Sequence, residues 1–335
     1  MLRGAFIGFG NVAANGHLPG LQSVKDVKIV AATDAVATQG RAFLEACPGG
    51  RWHESVDDLL SDETLDFVDI CTPPSSHAAL IKRALDSDLH VLCEKPLVTR
   101  VGDLQAIAAA VAGSGRTVHT VHNWLKAPLC SKISSLLDEG AVGAVRTVRW
   151  QTLRMEPAVT VASDGSNWRS DPAVAGGGII FDHGWHALYC VAHWAGVPRG
   201  VSALLEKRRF RDWPIEDTAT VTLYSNSVAA HIYLTWSANE RANLIEIEGD
   251  NGYISVAGDE VIVRSNKVER RWSCPPPLSQ GSHHQDWFIG VAEDFHRAAV
   301  SGGKGNLDEA VLCARLIDLA QRSSAAGGIR LPLEG

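Results

Sequence analysis

The sequence predicts an α/β chain of two domains: a doubly wound parallel sheet over residues 1–122, then an α+β domain over residues 123–335 with a large, mostly antiparallel sheet. Three observations predict it. Apolar strand-like runs alternate with helical patterns through the first third of the chain, a rhythm that places parallel strands between helices on both faces. A glycine-rich turn, Gly8-Phe9-Gly10-Asn11-Val12-Ala13, follows the first of those runs. From Val145 onward, strand patterns succeed one another with short turns, the habit of antiparallel pairing.

Leu2 to Phe9 forms the first strand, and Gly8 and Gly10 have the spacing at which backbone turns sharply and approaches a pyrophosphate. A helix then opens and aims its unpaired amides at phosphate; Ala13 keeps the third position small. Val27 to Thr33 is the second strand, and Asp34 ends it about 20 residues past the loop, where ribose hydroxyls belong. Its carboxylate accepts hydrogen bonds from a diol and repels a 2′-phosphate, which favours NAD over NADP, with Arg41 the nearest basic residue to complicate the choice. The alternative for Asp34 is a cap on a helix spanning Ala35 to Ala46.

Leu65 to Cys71 is a further strand, followed by a helix over Ser75 to Asp86; then come a strand at His90 to Cys93, a helix at Thr99 to Ala112 and a strand at Thr117 to Val121. These strands lack polar alternation, as strands covered on both faces should. Ligands of such sheets sit beyond the carboxyl ends of the strands, so Gly8, Asp34, Thr72, Lys95 and Asn123 are expected to converge on one crevice. Glu94-Lys95-Pro96 there puts a cation where the reactive ring of a dinucleotide is expected.

After a helix at Leu129 to Glu139, strands are predicted at Val145 to Leu153, Val201 to Leu204, Ala219 to Tyr224, Val228 to Trp236, Leu244 to Glu248, Tyr253 to Val256 and Val261 to Arg264. Asp250-Asn251-Gly252 has the chemistry of a tight hairpin turn. Helices resume at Asp286 to Val300 and Leu307 to Ser323, with Asn306 placed as the N-cap of the latter. Between the two regions lies Gly176-Gly177-Gly178, followed by a predicted helix that carries Asp182 and His186 four residues apart on one face. A histidine beside a carboxylate suits proton exchange near neutral pH; the alternative is a helix-start aspartate and a histidine satisfied by backbone. Asn123 and Trp124, and Asn167-Trp168-Arg169 before the glycines, are placed to face substrate: Trp168 to stack on an apolar ring face, Arg169 to bind a carboxylate or carboxamide. With ten tryptophans in the chain, core packing competes for Trp168.

At 335 residues the chain can bury two cores, and its formal charge of −7 disfavours nucleic acid or an anionic membrane as partner. No stretch is apolar enough to span a bilayer, and no secretory pattern precedes the first strand. Seven scattered cysteines without a C-x-x-C pair point to a reducing cytoplasm and to no zinc site. His183 and His186 are the one helically spaced histidine pair near a carboxylate, and no metal is assigned to them.

Taken together and in order, the glycine turn, Thr72-Pro73-Pro74-Ser75-Ser76-His77, Glu94-Lys95-Pro96 and the GGGxxxDxGxH run resemble the Gfo/Idh/MocA family of NAD(P)-dependent oxidoreductases across essentially the whole chain. The resemblance implies an N-terminal Rossmann domain, a C-terminal domain whose open sheet forms a homodimer or homotetramer, NAD as cofactor, and hydride transfer to or from a sugar, cyclitol or related polyol. It also implies catalytic roles for Lys95, Asp182 and His186: Lys95 hydrogen-bonds the reacting oxygen, His186 exchanges its proton, and Asp182 orients the imidazole or grips a neighbouring hydroxyl. Thr72, Pro73 and His77 are expected to line the cofactor, with Glu94 against its nicotinamide, and Lys95-Pro96 to be cis. By the same analogy one of His283, His284 and Gln285 lies near substrate, His284 being the chosen candidate; His17 also falls on a family position, with packing as its expected role. Two other readings stay open: transient oxidation by bound NAD that enables elimination or glycoside cleavage, and a non-catalytic NAD(H) sensor.

Overall fold

Six parallel strands, in the order β3-β2-β1-β4-β5-β6, form the first sheet of the computed structural model, which describes residues 1–158, 167–281 and 284–334. They are β1 Leu2–Ile7, β2 Val27–Thr33, β3 Arg51–His53, β4 Phe67–Ile70, β5 His90–Cys93 and β6 Val118–Thr120. A π-helical turn, Ala13–His17, runs into α1, Leu18–Ser23, after β1; α2 Gln39–Ala46, α3 Val56–Asp62, α4 His77–Asp86 and α5 Asp103–Ser114 make the other crossovers. The expected strands and helices of this region are all present. β3 and α3 were not expected, because three residues of strand and seven of helix are too short to show a period; Ser55 starts α3 by accepting the Asp58 amide. β4 and β5 are buried along their whole length, which is why their sequences read as near-continuous apolar runs, interrupted by Asp69 and His90.

The strand order reverses between β1 and β4, so the crevice at that switch point lies beyond their carboxyl ends. The unit built on this sheet comprises residues 1–123 together with residues 284–311. The second segment was expected in the C-terminal domain. α9, Gln285–Ser301, instead packs on the parallel sheet: the Phe295 ring meets Phe67 edge-on with centroids 5.1 Å apart, and Phe288 and Val291 join the same core as Phe6, Phe9 and Phe43. Burying each such aromatic ring is worth about 1.5–3 kcal/mol, so an amphipathic helix is held by whichever sheet face its apolar stripe fits, whatever its place in the sequence.

The second unit contains a nine-stranded sheet in the order β14-β13-β12-β11-β7-β10-β9-β8-β15. Its strands are β7 Val145–Leu153, β8 Gly200–Glu206, β9 Thr218–Tyr224, β10 Ala229–Thr235, β11 Ala242–Gly249, β12 Gly252–Ala257, β13 Glu260–Ser265, β14 Val268–Ser273 and β15 Leu331–Pro332. All neighbours are antiparallel except β7 and β10. One face is apolar and buried through Val148, Trp150, Val221, Ile232, Ile245 and Ile247; Arg149, His231 and Glu246 alternate with them on the other. α6 Pro128–Asp138, α7 Pro172–Ala175 and α8 Trp185–Ala195 belong to this unit; the Trp194 indole donates to Ser134 Oγ at 3.0 Å and joins α8 to α6. α10, Leu307–Ala325, begins in the first unit and ends in the second. β14 escaped the sequence pattern because nearly all its residues are exposed and polar.

Candidate active site

Gly8 has φ +89°, and a Cβ there would stand 2.9 Å from the Cys71 carbonyl and Thr72 Cγ2, so only glycine fits this turn. A Cβ on Gly10 meets nothing within 4 Å, so this glycine borders open space into which a phosphate can approach. The helix beyond starts without a side-chain cap at Val12. Asp34 sits at the end of β2 with Oδ2 accepting the Phe9 amide at 2.7 Å and Oδ1 accepting the Val36 amide at 2.8 Å. It therefore braces the glycine turn and caps the bend before α2, which starts only at Gln39, while each oxygen keeps a lone pair for a ribose hydroxyl. Glycine turn, uncapped helix and strand-end carboxylate fit a dinucleotide. Phe9 contributes its backbone alone, since its ring is fully buried against Phe6 and Phe43.

On the other side of the switch point, β4 leads into the exposed Pro73 and into Thr72, whose hydroxyl pairs with Ser76 at 2.7 Å. β5 ends at Glu94 and Lys95, both half-buried, and the Lys95-Pro96 bond is cis as expected. His77 is fully buried as the first residue of α4, with Nδ1 2.9 Å from the Pro96 carbonyl and Nε2 2.8 Å from that of Thr72, so it braces the two loops. Burial holds its pKa below the usual histidine value although the carbonyls favour its charged form. Glu94 gains a partner that sequence reasoning left to packing: His17 Nε2 lies 3.0 Å from its Oε1, while its Oε2 accepts the Lys95 amide at 2.9 Å. Asn123 is half-buried, and its Oδ1 is buried with no hydrogen-bond partner among the described residues. His284 takes a left-handed conformation at the start of α9 and stacks on Trp287 at 3.5 Å; His283 lies outside the described residues.

In the second unit the triple-glycine run exists for close approach. A Cβ on Gly178 would fall 1.9 Å from the Glu216 carbonyl oxygen, and the Glu216 carboxylate accepts the amides of Gly178 at 3.0 Å and Ile180 at 3.1 Å. Burial pushes that carboxyl above its ordinary value. This contact fixes the entry to a π-helical turn, Ile180–Gly184, which carries Asp182 and runs into α8 with His186. Asp182 is half-buried, with Oδ1 3.2 Å from Arg169 and Oδ2 3.2 Å from His183 Nδ1. The Arg169 guanidinium also lies over the Trp168 ring at 4.6 Å, so both expected substrate residues are part of the Asp182 cluster.

His186 is buried, its ring stacked on Trp124 at 4.5 Å and 7°, and its Nδ1 lies 2.8 Å from the Tyr189 hydroxyl. That hydroxyl also accepts the Trp124 amide at 3.0 Å, and burial raises its pKa well above the usual phenol value, so it stays protonated. Tyr189 and Glu216 were missed by the sequence reading. Tyr189 stands one helical turn beyond His186, a spacing that marks it as a neighbour; nothing local marks Glu216. Trp124 also meets His183 edge-on at 6.5 Å, which joins Asp182, His183, His186 and Tyr189 into one polar and aromatic cluster.

Residues 2–122 match the profile of an oxidoreductase family with an NAD-binding Rossmann fold, and residues 130–255 match the GFO/IDH/MocA C-terminal domain. The chain belongs to the GFO/IDH/MocA oxidoreductase family. Within it, the chain is 27% identical over 288 residues to D-apiose dehydrogenase of Paraburkholderia graminis, covering 84% of this chain and 74% of that protein. Its fold matches an Agrobacterium radiobacter oxidoreductase solved with NAD+, L-tartaric acid and magnesium, with a TM-score of 0.85, 21% identity and coverage of 99% and 98% of the two chains. It also matches levoglucosan dehydrogenase solved with NADH and levoglucosan, with a TM-score of 0.85, 19% identity and complete coverage of both chains. Among the described residues, no helix is long and apolar enough to cross a membrane.

Proposed function

We propose that this oxidoreductase is an NAD-dependent dehydrogenase or ketoreductase that acts on a secondary alcohol or ketone of a sugar, cyclitol or related polyol. The observation that carries the reading is Lys95 at the end of β5, on the side of the switch point opposite Asp34. A dinucleotide whose adenosine ribose is held by Asp34 runs across the glycine turn and brings its reacting end toward Lys95. D-apiose and levoglucosan dehydrogenases among the relatives support a sugar as substrate.

The nicotinamide, when bound, takes or supplies the hydride. The protein supplies the rest. In oxidation Lys95 donates a hydrogen bond to the substrate oxygen as negative charge develops, and His186 accepts the hydroxyl proton. The Tyr189 hydroxyl accepts the Trp124 amide and engages His186 Nδ1, which leaves Nε2 as the ring nitrogen that exchanges the substrate proton. Asp182, paired with Arg169 and His183, presents an anion to neighbouring hydroxyls.

The test is a panel of aldoses, anhydrosugars, cyclitols and keto sugars with NAD(H), followed by NADH absorbance. Turnover that collapses in Lys95→Ala and His186→Ala supports the reading; no turnover on the panel, or variants indistinguishable from the parent, removes it. The same reading includes a cytoplasmic location, supported by seven free cysteines, and self-association as a dimer or tetramer through the polar outward face of the nine-stranded sheet; a monomer in sedimentation equilibrium would remove the latter.

A further inference from the structure

His17, which hydride transfer does not itself use, lies 1% exposed between two carboxylates. Its Nδ1 is 2.9 Å from Asp69 Oδ2, and its Nε2 is 3.0 Å from Glu94 Oε1. A carboxylate accepts and cannot donate, so both contacts are hydrogen bonds only when both ring nitrogens carry protons. The ring also stacks on Phe288 at 3.9 Å, which keeps water from one face. Cys71 Sγ completes the surroundings, 3.2 Å from Nδ1 and 3.4 Å from Asp69 Oδ1. His17, Asp69 and Cys71 are metal-ligating in type, but a doubly protonated imidazole has no lone pair to offer an ion.

The groups facing His17 are thus Asp69 on β4, Cys71 after it, Glu94 beyond β5 and the apolar Phe288 on α9. Glu94 in turn faces Lys95, and its charge reaches His77 and His122. Burial opposes a charged His17, yet the charge and hydrogen bond of Asp69, with those of Cys71, raise its pKa well above the ordinary histidine value. Burial likewise works against an ionised Glu94; its hydrogen bond and charge interaction with His17, and the Lys95 charge, reverse this and lower its pKa.

We propose that His17 is a positioning residue that pins Glu94 and balances its charge at the nicotinamide end of the cofactor site, and thereby sets the relative affinity for oxidised and reduced cofactor. This inference rests on the NAD-dependent reading. The oxidised nicotinamide ring is a cation and the reduced ring is neutral. Two carboxylates, Asp69 and Glu94, are matched by one imidazolium and the Lys95 ammonium, so the local charge sums to zero and neither form of the ring is strongly preferred. Without the imidazolium the two carboxylates are matched by the Lys95 ammonium alone, the local charge becomes −1, and the oxidised ring gains.

The experiment is calorimetric titration of NAD+ and of NADH into the full chain, His17→Gln and Glu94→Gln. The ratio of the NAD+ Kd to the NADH Kd is expected to fall about tenfold in His17→Gln and to rise in Glu94→Gln. A clamp with a merely structural role would change both Kd values by one common factor, and that result overturns the proposal. Nitrogen NMR of histidine-labelled parent protein reads the clamp without cofactor or variant: a doubly protonated His17 ring at neutral pH supports it, and a neutral ring overturns it. Should the parent bind neither cofactor, the NAD-dependent reading fails while the NMR result still judges the clamp; should His17→Gln not fold, Glu94→Gln and NMR decide.

Discussion

At His186, the Tyr189 hydroxyl engages Nδ1 and the Trp124 indole covers a ring face, so the proton exchange proposed for this residue belongs to Nε2. Tyr189→Phe removes the hydrogen bond that orients His186 and also the acceptor of the Trp124 amide. Its kcat is expected to fall roughly tenfold, the equivalent of about 1.4 kcal/mol, with KM little changed; a parent-like kcat would show that packing alone holds the ring. Lys95→Ala removes a donor to the developing oxyanion and is expected to lower kcat by about 10²–10³, a loss that steady-state kinetics would read directly. Asp34 serves two purposes, as it braces the Phe9 amide and offers a carboxylate to the ribose. Asp34→Ala is expected to weaken NAD binding and to narrow the preference over NADP; an unchanged Kd ratio between the two cofactors would assign the residue to bracing alone.

Elements show where local pattern reaches its limit. The hydrophobic rhythm that predicts β1, β2, β4 and β5 is written into adjacent residues, and those strands stand where expected. Asn306 stands before α10 as a cap should, but its side-chain amide pairs with the Thr120 amide at 2.7 Å and the Thr120 carbonyl at 2.8 Å, and so extends the ladder of β6. Its partner lies 186 residues away, and no window of sequence contains both. The triple glycine is similar: the reason for Gly178 is the close approach of the Glu216 backbone, 38 residues on. Gly178→Ala is expected to cost at least about 3 kcal/mol, because the obstacle is backbone and cannot rotate aside. Urea unfolding checks this, and a parent-like midpoint would mean that the turn relaxes freely.

For the whole molecule, stability should follow pH through its buried histidines. Burial lowers the pKa of His77, His90 and His122, so the unfolded chain binds protons near its ordinary value of about 6.5 that the native protein refuses. Stability is therefore lost as pH falls below about 6.5, by up to about 1.4 kcal/mol per pH unit for each group. His17 has the opposite sign: its raised pKa gives stability that is complete below about 6.5 and is lost as pH rises through the folded value. Glu94 and Asp217 are lowered, so their contribution is present above their unfolded values and lost in stronger acid. Urea unfolding across this range should show a maximum near neutral pH, with His17→Gln flattening the alkaline side; a profile flat from acid to alkali contradicts the assignment.

By itself the sequence determined the parallel order of the first third, the antiparallel character of the second sheet, the glycine turn with Asp34, and the strand-end Lys95, because each is carried by periodicity or by residues close in the chain. Tertiary structure alone decided that α9 packs on the parallel sheet, that His77 turns inward, that Tyr189 holds His186, and that His17 bridges carboxylates 52 and 77 residues away. The physical reason is the range of the forces involved. Turn chemistry and amphipathic period act over a few residues, whereas a buried polar group takes whichever partner the packed core brings within about 3 Å.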